Sequence, residues 1–299
     1  MELVFFIEVL AGGLLAGVMY ALVALGFVLI YKASGVFNFA QGSMVFFAAL
    51  TFVSLTERGW NFWLALVATL GVMVLLAVAT ERVVLRPLVN QAPITLFMAT
   101  IGLAFVLEGL SQLLWGSQPH GLELGIPDVP MEWLSQKWNV NISQFDLFAA
   151  FIAGALVAVL ALLFQKTRIG RALRAVADDH QAALAVGIPL QHIWAIVWAV
   201  AGFVALVAGV MWGVRNGVQY ALTFVALKAL PVLILGGFES ILGAIIGGLI
   251  IGAGEKLAEV YLGPYVGGGI ESWFAYVIAL LFLLVRPEGL FGEKHIDRV

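Results

Sequence analysis

Lys166–Pro189, reading KTRIGRALRAVADDHQAALAVGIP, gathers Lys166, Arg168, Arg171, Arg174, Asp178 and Asp179 in a 299-residue chain of which only 11% is charged. Guanidinium and carboxylate groups interleaved at this density bind rather than break bonds. They complement opposite charges on another surface and fix its register. Arg171, Arg174, Asp178 and Gln181 recur at three- and four-residue steps, and Leu173, Val176 and Leu184 recur opposite them. That spacing predicts an amphipathic helix, which Gly187 and Pro189 then stop. A helix held only by lipid would carry mostly Lys and Arg, so the mixed charge favours a protein partner. The plainer alternative is a solvated loop helix resting on the lipid surface.

A second set of reactive groups is scattered through apolar sequence. Glu108, Lys228, Glu255 and Lys256 fall within or at the ends of long apolar runs. A charge at mid-membrane costs about 2.5–3.5 kcal/mol or more, so each is a candidate for function. Glu108 and Glu255 also fit helix ends near the outer headgroups, where Lys256 would snorkel. Asn38, Gln41 and Ser43 interrupt VFNFAQGSM. Either they bond across helices or they mark a broken helix whose freed backbone lines a pathway. Arg215, Asn216, Gln219 and Tyr220 form a short loop, suited to docking an external protein or to plain exposure. His120, His180, His192 and His295 lie far apart with no metal-ligand spacing, and no nucleophile stands beside a base. The expectation is therefore no catalytic residue, no metal and no cofactor on this chain. The absence of cysteine removes disulfides, thiolate zinc and iron–sulfur clusters from consideration.

The elements that must position these groups are membrane spans. The chain is 63% hydrophobic with a mean hydropathy of +1.06. Crossing roughly 30 Å of hydrocarbon takes about 20 apolar residues in a helix. Runs of that kind are Val9–Tyr31, Ala33–Thr56, Gly59–Thr80, Pro87–Leu107, Leu147–Gln165 and Ile193–Val214, with shorter ones at Ala229–Phe238, Ile241–Gly254 and Ser272–Val285. Backbone groups in hydrocarbon must bond to one another, which calls for helices, and no alternating barrel strands occur. The fold class is an all-α polytopic membrane protein with about 8–10 crossings, read as one domain over 1–299. The first run lacks the basic flank of a cleaved signal, so it reads as a retained span. Residues 115–144, rich in Pro, Gly and Trp, form an external loop. Placing 166–190 inside puts ten of the fifteen Lys and Arg residues on the cytoplasmic side, with the N-terminus outside and the C-terminus inside. Val225–Phe238, interrupted by Pro231, reads as a short, re-entrant or broken helix. Gly13-x-x-x-Gly17, Gly243-x-x-x-Gly247 and Gly248-x-x-x-Gly252 read as packing surfaces. Each half of the chain holds an interrupted Gly-rich element, Gly35–Ser43 and Gly236–Gly248, as transporters with internal repeats do. A net charge of −3 and a pI near 5.8 argue against nucleic acid.

Several stretches, in order along nearly the whole chain, resemble the permeases of high-affinity branched-chain amino acid importers driven by ATP. Arg171, Ala172, Arg174, Ala175, Asp178, Asp179, Ala183, Gly187 and Ile188 match the coupling-loop pattern of that family. Tyr20–Gly42 resembles its first-span signature; Glu81–Leu88 (ERVVLRPL) with Met98–Gly102 (MATIG) resembles the next. Leu235–Gly248 resembles its late Gly-rich element and Arg286–Gly292 its terminal tag. The resemblance implies the fold shared with sugar and vitamin B12 importer permeases, and a complex of two permeases, two cytoplasmic ATPase subunits and an external solute-binding protein in a bacterial inner membrane. It implies ATPase contact or shaping roles for Arg168, Gly170, Arg171, Arg174, Asp178, Asp179 and Gly187. As polar or ionisable groups in apolar sequence, Asn38, Gln41, Ser43, Glu108 and Lys228 are the pathway candidates. Arg215, Asn216 and Gln219 would dock the binding protein. No phosphate-binding G-x-x-x-x-G-K-[ST] loop occurs, so ATP and magnesium belong to partner subunits. Permeases for urea, short amides or aromatic acids look much alike, and a self-sufficient secondary transporter or channel is the rival of a different class.

Overall fold

A computed structural model describes residues 2–89, 91–178 and 180–292. The apolar runs become helices: α1 (Glu2–Ser34), α2 (Gln41–Glu57), α3 (Phe62–Ala79), α4 (Pro93–Trp115), α5 (Glu132–Trp138), α6 (Gln144–Lys166), α7 (Arg168–Asp178), α8 (His180–Ala185), α9 (Leu190–Asn216), α10 (Val225–Gly236), α11 (Ile241–Tyr261), α12 (Gly263–Val266) and α13 (Phe274–Val285). Among the described residues, β pairing is confined to two isolated bridges, His120 with Val218 and Pro130 with Ser143. Also among them, α1, α3 with its continuation, α4, α6, α9 and α11 are long and apolar enough to cross a membrane. The 17-residue α2 and the 12-residue α10 and α13 are shorter.

The chain forms two compact units, Met1–Ala24 with Leu124–Ala158 and Leu227–Val299, and Leu25–Glu123 with Val159–Ala226. In the second unit α2 is the central element. It is buried from Gln41 to Ser54 and packs against α3, α4 and α9. A helix apolar all round is one enclosed by others, which is how so short a segment is held in place. In the first unit the start of α1 lies against α11 along the glycine spacings. A Cβ on Gly17 would stand 2.5 Å from the carbonyl oxygen of Gly248, and one on Gly252 would stand 2.4 Å from that of Gly13. Backbones this close exclude any side chain, so these glycines form a packing seam.

Several expectations are corrected. Pro231 does not break its helix: α10 runs through it as a continuous α-helix, and the change of type comes earlier, in a 3₁₀ turn over Tyr220–Phe224. A proline removes the N–H that would bond the carbonyl four residues back. That carbonyl belongs to Leu227, and the Tyr276 hydroxyl donates to it at 2.6 Å, so the helix continues with its freed acceptor satisfied. The third apolar run continues past Ala79 through a π-helical turn, Thr80–Leu85. Arg86 donates from Nε and Nη2 to both oxygens of Glu81 at 3.0 and 2.9 Å. The wider π turn brings residues five apart onto one face. The fourth span starts at Pro93 and ends at Trp115 rather than Leu107, and the Pro-, Gly- and Trp-rich segment after it carries the two-turn helix α5.

Candidate functional site

The interruption between α1 and α2 lies wholly in the second unit. Gly35, at φ +69°, ends α1 in a left-handed cap, its N–H donating to the Tyr31 carbonyl at 2.7 Å. Asn38 then organises the break. Its Oδ1 accepts from the Ala40 N–H at 3.1 Å, and its Nδ2 donates to Gln41 Oε1 at 3.3 Å. Gln41 Nε2 reaches the Ala201 carbonyl of α9 at 3.4 Å. Thr100 of α4 accepts from the Phe39 N–H at 3.0 Å, and its hydroxyl lies 3.3 Å from the Phe37 carbonyl. Asn38 and Gln41 are both fully buried. The helix is broken here, and polar side chains satisfy the break, Gln41 by reaching across to α9. Thr100 was visible only as part of MATIG.

Ser43 points elsewhere. Its hydroxyl donates to Glu108 Oε1 at 2.7 Å, and the Tyr220 hydroxyl donates to Glu108 Oε2 at 3.1 Å. Gly42 makes room for this junction, because a Cβ there would stand 2.1 Å from the Thr223 carbonyl oxygen. Ser43 and Glu108 are thus brought together, along with Tyr220, which the sequence placed in a surface loop.

Lys228 belongs to the first unit and to a different cluster. Its Nζ donates to Glu255 Oε1 at 3.1 Å and to the Glu271 carbonyl at 2.6 Å. The Tyr20 hydroxyl donates to Glu255 Oε2 at 2.9 Å. Glu255 is 2% exposed. A buried carboxylate needs a partner and hydrogen bonds for its remaining lone pairs, and this one has both. Lys256 pairs with the Glu271 side chain, and Glu259 accepts from the backbone N–H groups of Gly269 and Glu271 at 3.0 and 3.1 Å. No spacing could reveal a Lys and a Glu 27 residues apart.

The polar island begins where α6 ends. Thr167 caps α7, accepting from the Gly170 N–H at 3.2 Å, and a Cβ on Gly170 would meet the Phe164 carbonyl at 1.9 Å. Arg174 donates to the carbonyls of Phe164 and Gln165 at 2.7 and 3.3 Å. It neutralises the carbonyl end of α6, where a cation is favoured. Leu173 and Val176 are buried, while Arg168, Arg171 and Asp178 are exposed. The island is helical on both sides of Asp179, over α7 and α8, and Leu184 is 52% exposed instead of sharing the buried face. Gly187, at φ +83°, closes α8, with the Ile188 N–H donating back to the Ala183 carbonyl at 2.9 Å. Asp179 lies outside the described residues.

Arg215 and Asn216 are exposed at the end of α9, with Gln219 half-buried and bonded to the Asn216 carbonyl at 3.1 Å. The neighbouring Val218 pairs by backbone with His120, whose Nδ1 lies 3.0 Å from Glu57 Oε1. The loop is therefore tied to the segment after α4 and to the end of α2. Among the described residues no group of His, Cys, Asp or Glu is arranged to hold a metal.

A family model described as "Branched-chain amino acid transport system / permease component" matches residues 9–286. The chain belongs to this family. It is 28% identical to the high-affinity branched-chain amino acid transport system permease protein LivH of Escherichia coli (strain K12), over 100% of this chain and 99% of that protein. The same identity and shares hold for permease protein BraD of Pseudomonas aeruginosa. Fructose import permease protein FruF of Bifidobacterium longum is 23% identical, over 90% of this chain and 75% of its own. The chain is thus a membrane permease subunit of an ABC importer, a class that works with an ATPase and a solute-binding protein. The curated relatives carry no substrate across to this chain by name alone, since FruF is named for a sugar.

Proposed function

We propose that this chain conducts branched-chain or related hydrophobic amino acids inward across a bacterial inner membrane. Its partners are two cytoplasmic ATPase subunits, a second homologous permease and an external solute-binding protein. The N-terminus faces outside and the C-terminus the cytoplasm. The observation that carries the reading is the split character of α7, which buries Leu173 and Val176 against its own unit and leaves Arg168, Arg171 and Asp178 outward. Exposed Leu184 and Val186 adjoin this charged edge. A charged surface with apolar side chains beside it is the composition of a protein interface rather than of a solvated loop.

ATPase closure pushes on α7, and the push enters the bundle through the α6–α7 turn that Gly170 and Arg174 make rigid. The broken segment around Asn38 and Gln41 is the element whose satisfied but non-helical backbone allows two arrangements. Arg215, Asn216 and Gln219 receive the binding protein on the opposite side. Because the spans are dominated by apolar side chains, selectivity rests chiefly with that soluble protein.

The test is affinity purification of the solubilised protein from its native host, followed by mass spectrometry. Recovery of an ATPase and a second permease, with leucine uptake once the cognate binding protein is added, is expected. Leucine uptake that persists without any ATPase would move the chain to the secondary transporters.

A further inference from the structure

The carboxylates of the apolar helices are answered in different ways. Glu81 is matched by Arg86, and Glu255 by Lys228. Glu108 receives two neutral hydroxyls, from Ser43 and Tyr220, and among the described residues no Lys, Arg or His is paired with it. It sits seven residues before the end of α4 at Trp115, about 10 Å along the helix. A carboxylate at that depth cannot face hydrocarbon unpaired at tolerable cost, so its half-exposed side must meet water or a cation. An ionised carboxylate has about four acceptor positions, and the two hydroxyls occupy two of them.

The surroundings suit an organic cation. Phe46 stands edge-on to Tyr220 with ring centroids 6.1 Å apart, and Tyr220 edge-on to Phe224 at 5.8 Å. Tyr220 and Phe224 are both exposed. Tyr220, whose hydroxyl holds Glu108, and its neighbour Phe224 offer exposed ring surface that attracts an ammonium group, while Phe46 is buried behind them. The Ser43 and Tyr220 hydroxyls fix the carboxylate's orientation without cancelling its charge. Ser43 lies in the first turn after the helix break, so a shift in that segment would move one of the two groups holding Glu108.

We propose that Glu108, positioned by Ser43 and Tyr220, binds the primary ammonium group of the transported amino acid on its way through the permease. This inference rests on the amino acid reading above and assigns one contact of the pathway. The chain gains a specificity element of its own: zwitterions with a free ammonium pass, and their des-amino analogues lack the contact.

The experiment uses the complete importer in proteoliposomes with its binding protein, measuring labelled leucine uptake and ATP hydrolysis together. Glu108→Gln keeps the shape and is expected to assemble normally, while leucine uptake per ATP hydrolysed falls at least about tenfold, the scale of losing one close charge pair. Glu108→Asp is expected to retain most of the uptake. Because the chain has no cysteine, Glu108→Cys gives it a unique thiol. Modification of that thiol with a sulfonatoethyl thiosulfonate restores negative charge and is expected to restore uptake, whereas the trimethylammonium reagent is not. Uptake by Glu108→Gln within about twofold of native, equal rescue by both reagents, or no reaction with either would overturn the proposal. Native importer that hydrolyses ATP yet takes up no leucine would instead overturn the underlying substrate reading.

Discussion

Tyr276 and Pro231 form a pair whose energies must be coupled. Pro231 leaves the Leu227 carbonyl without its helical donor, and the Tyr276 hydroxyl supplies one at 2.6 Å. In a bilayer no water replaces that bond. Tyr276→Phe removes one oxygen and strands the carbonyl, which costs about 1–3 kcal/mol, the desolvation penalty of an unmet acceptor. In a Pro231→Ala background the N–H of residue 231 bonds the same carbonyl. There Tyr276→Phe loses only a second, redundant donor and costs about 0.5 kcal/mol, the low end for one bond. The coupling is therefore about 0.5–2.5 kcal/mol, whereas independent sites add within roughly 0.3–0.5 kcal/mol. The assay is a double-mutant cycle by reversible SDS-induced unfolding in mixed micelles, followed by circular dichroism. Equal costs for Tyr276→Phe in the two backgrounds would refute this account of how α10 accommodates its proline.

Further expectations follow from the buried charges and the close backbone contact. Lys228→Met leaves a carboxylate that is 2% exposed without its cation and should cost about 3–5 kcal/mol. Glu255→Gln should cost only about 1–2 kcal/mol, because the Lys228 side chain is 29% exposed and keeps the Glu271 carbonyl. The same unfolding titration checks both, and the reverse order would contradict the assigned burial. Gly42→Ala drives a methyl to 2.1 Å from the Thr223 carbonyl and should abolish stable expression. Gly109→Ala, with nothing within 4 Å, should be neutral or gain up to about 1 kcal/mol. Yield of monodisperse protein by size-exclusion chromatography separates the two.

Much of the scaffold was legible because hydrocarbon imposes few rules. Uninterrupted apolar runs had to become helices, and the glycine spacings on α1 and α11 had to face close neighbours. The break at Gly35–Ser43 was legible too, since glycines bracket polar residues there. Contacts between residues distant in sequence were not legible. Lys228 finds Glu255, and Glu108 finds Tyr220, through folds of the chain that no local pattern encodes. Pro231 shows a rule applied without its remedy: the lost hydrogen bond was foreseeable, the Tyr276 hydroxyl that replaces it was not. Leu184 failed because helical period alone does not say how far along the helix the buried stripe is covered: Leu173 and Val176 meet neighbours, and Leu184 is exposed. Arg174 was grouped with Arg168 and Arg171 by charge, although it is spent on the carbonyl end of α6.

That difference sharpens the test of the central claim, that the outward face of α7 transmits ATPase motion. Arg168 and Arg171 are exposed, so reversing both leaves the α6–α7 turn intact, whereas Arg174→Glu would also unsettle that turn. The measurement is ATP-driven leucine uptake by the reconstituted importer carrying Arg168→Glu and Arg171→Glu. Normal membrane insertion with uptake reduced at least about tenfold relative to ATP hydrolysis, as reversing charges across a contact should produce, is the predicted result. Uptake and hydrolysis coupled as in the native importer would contradict the account.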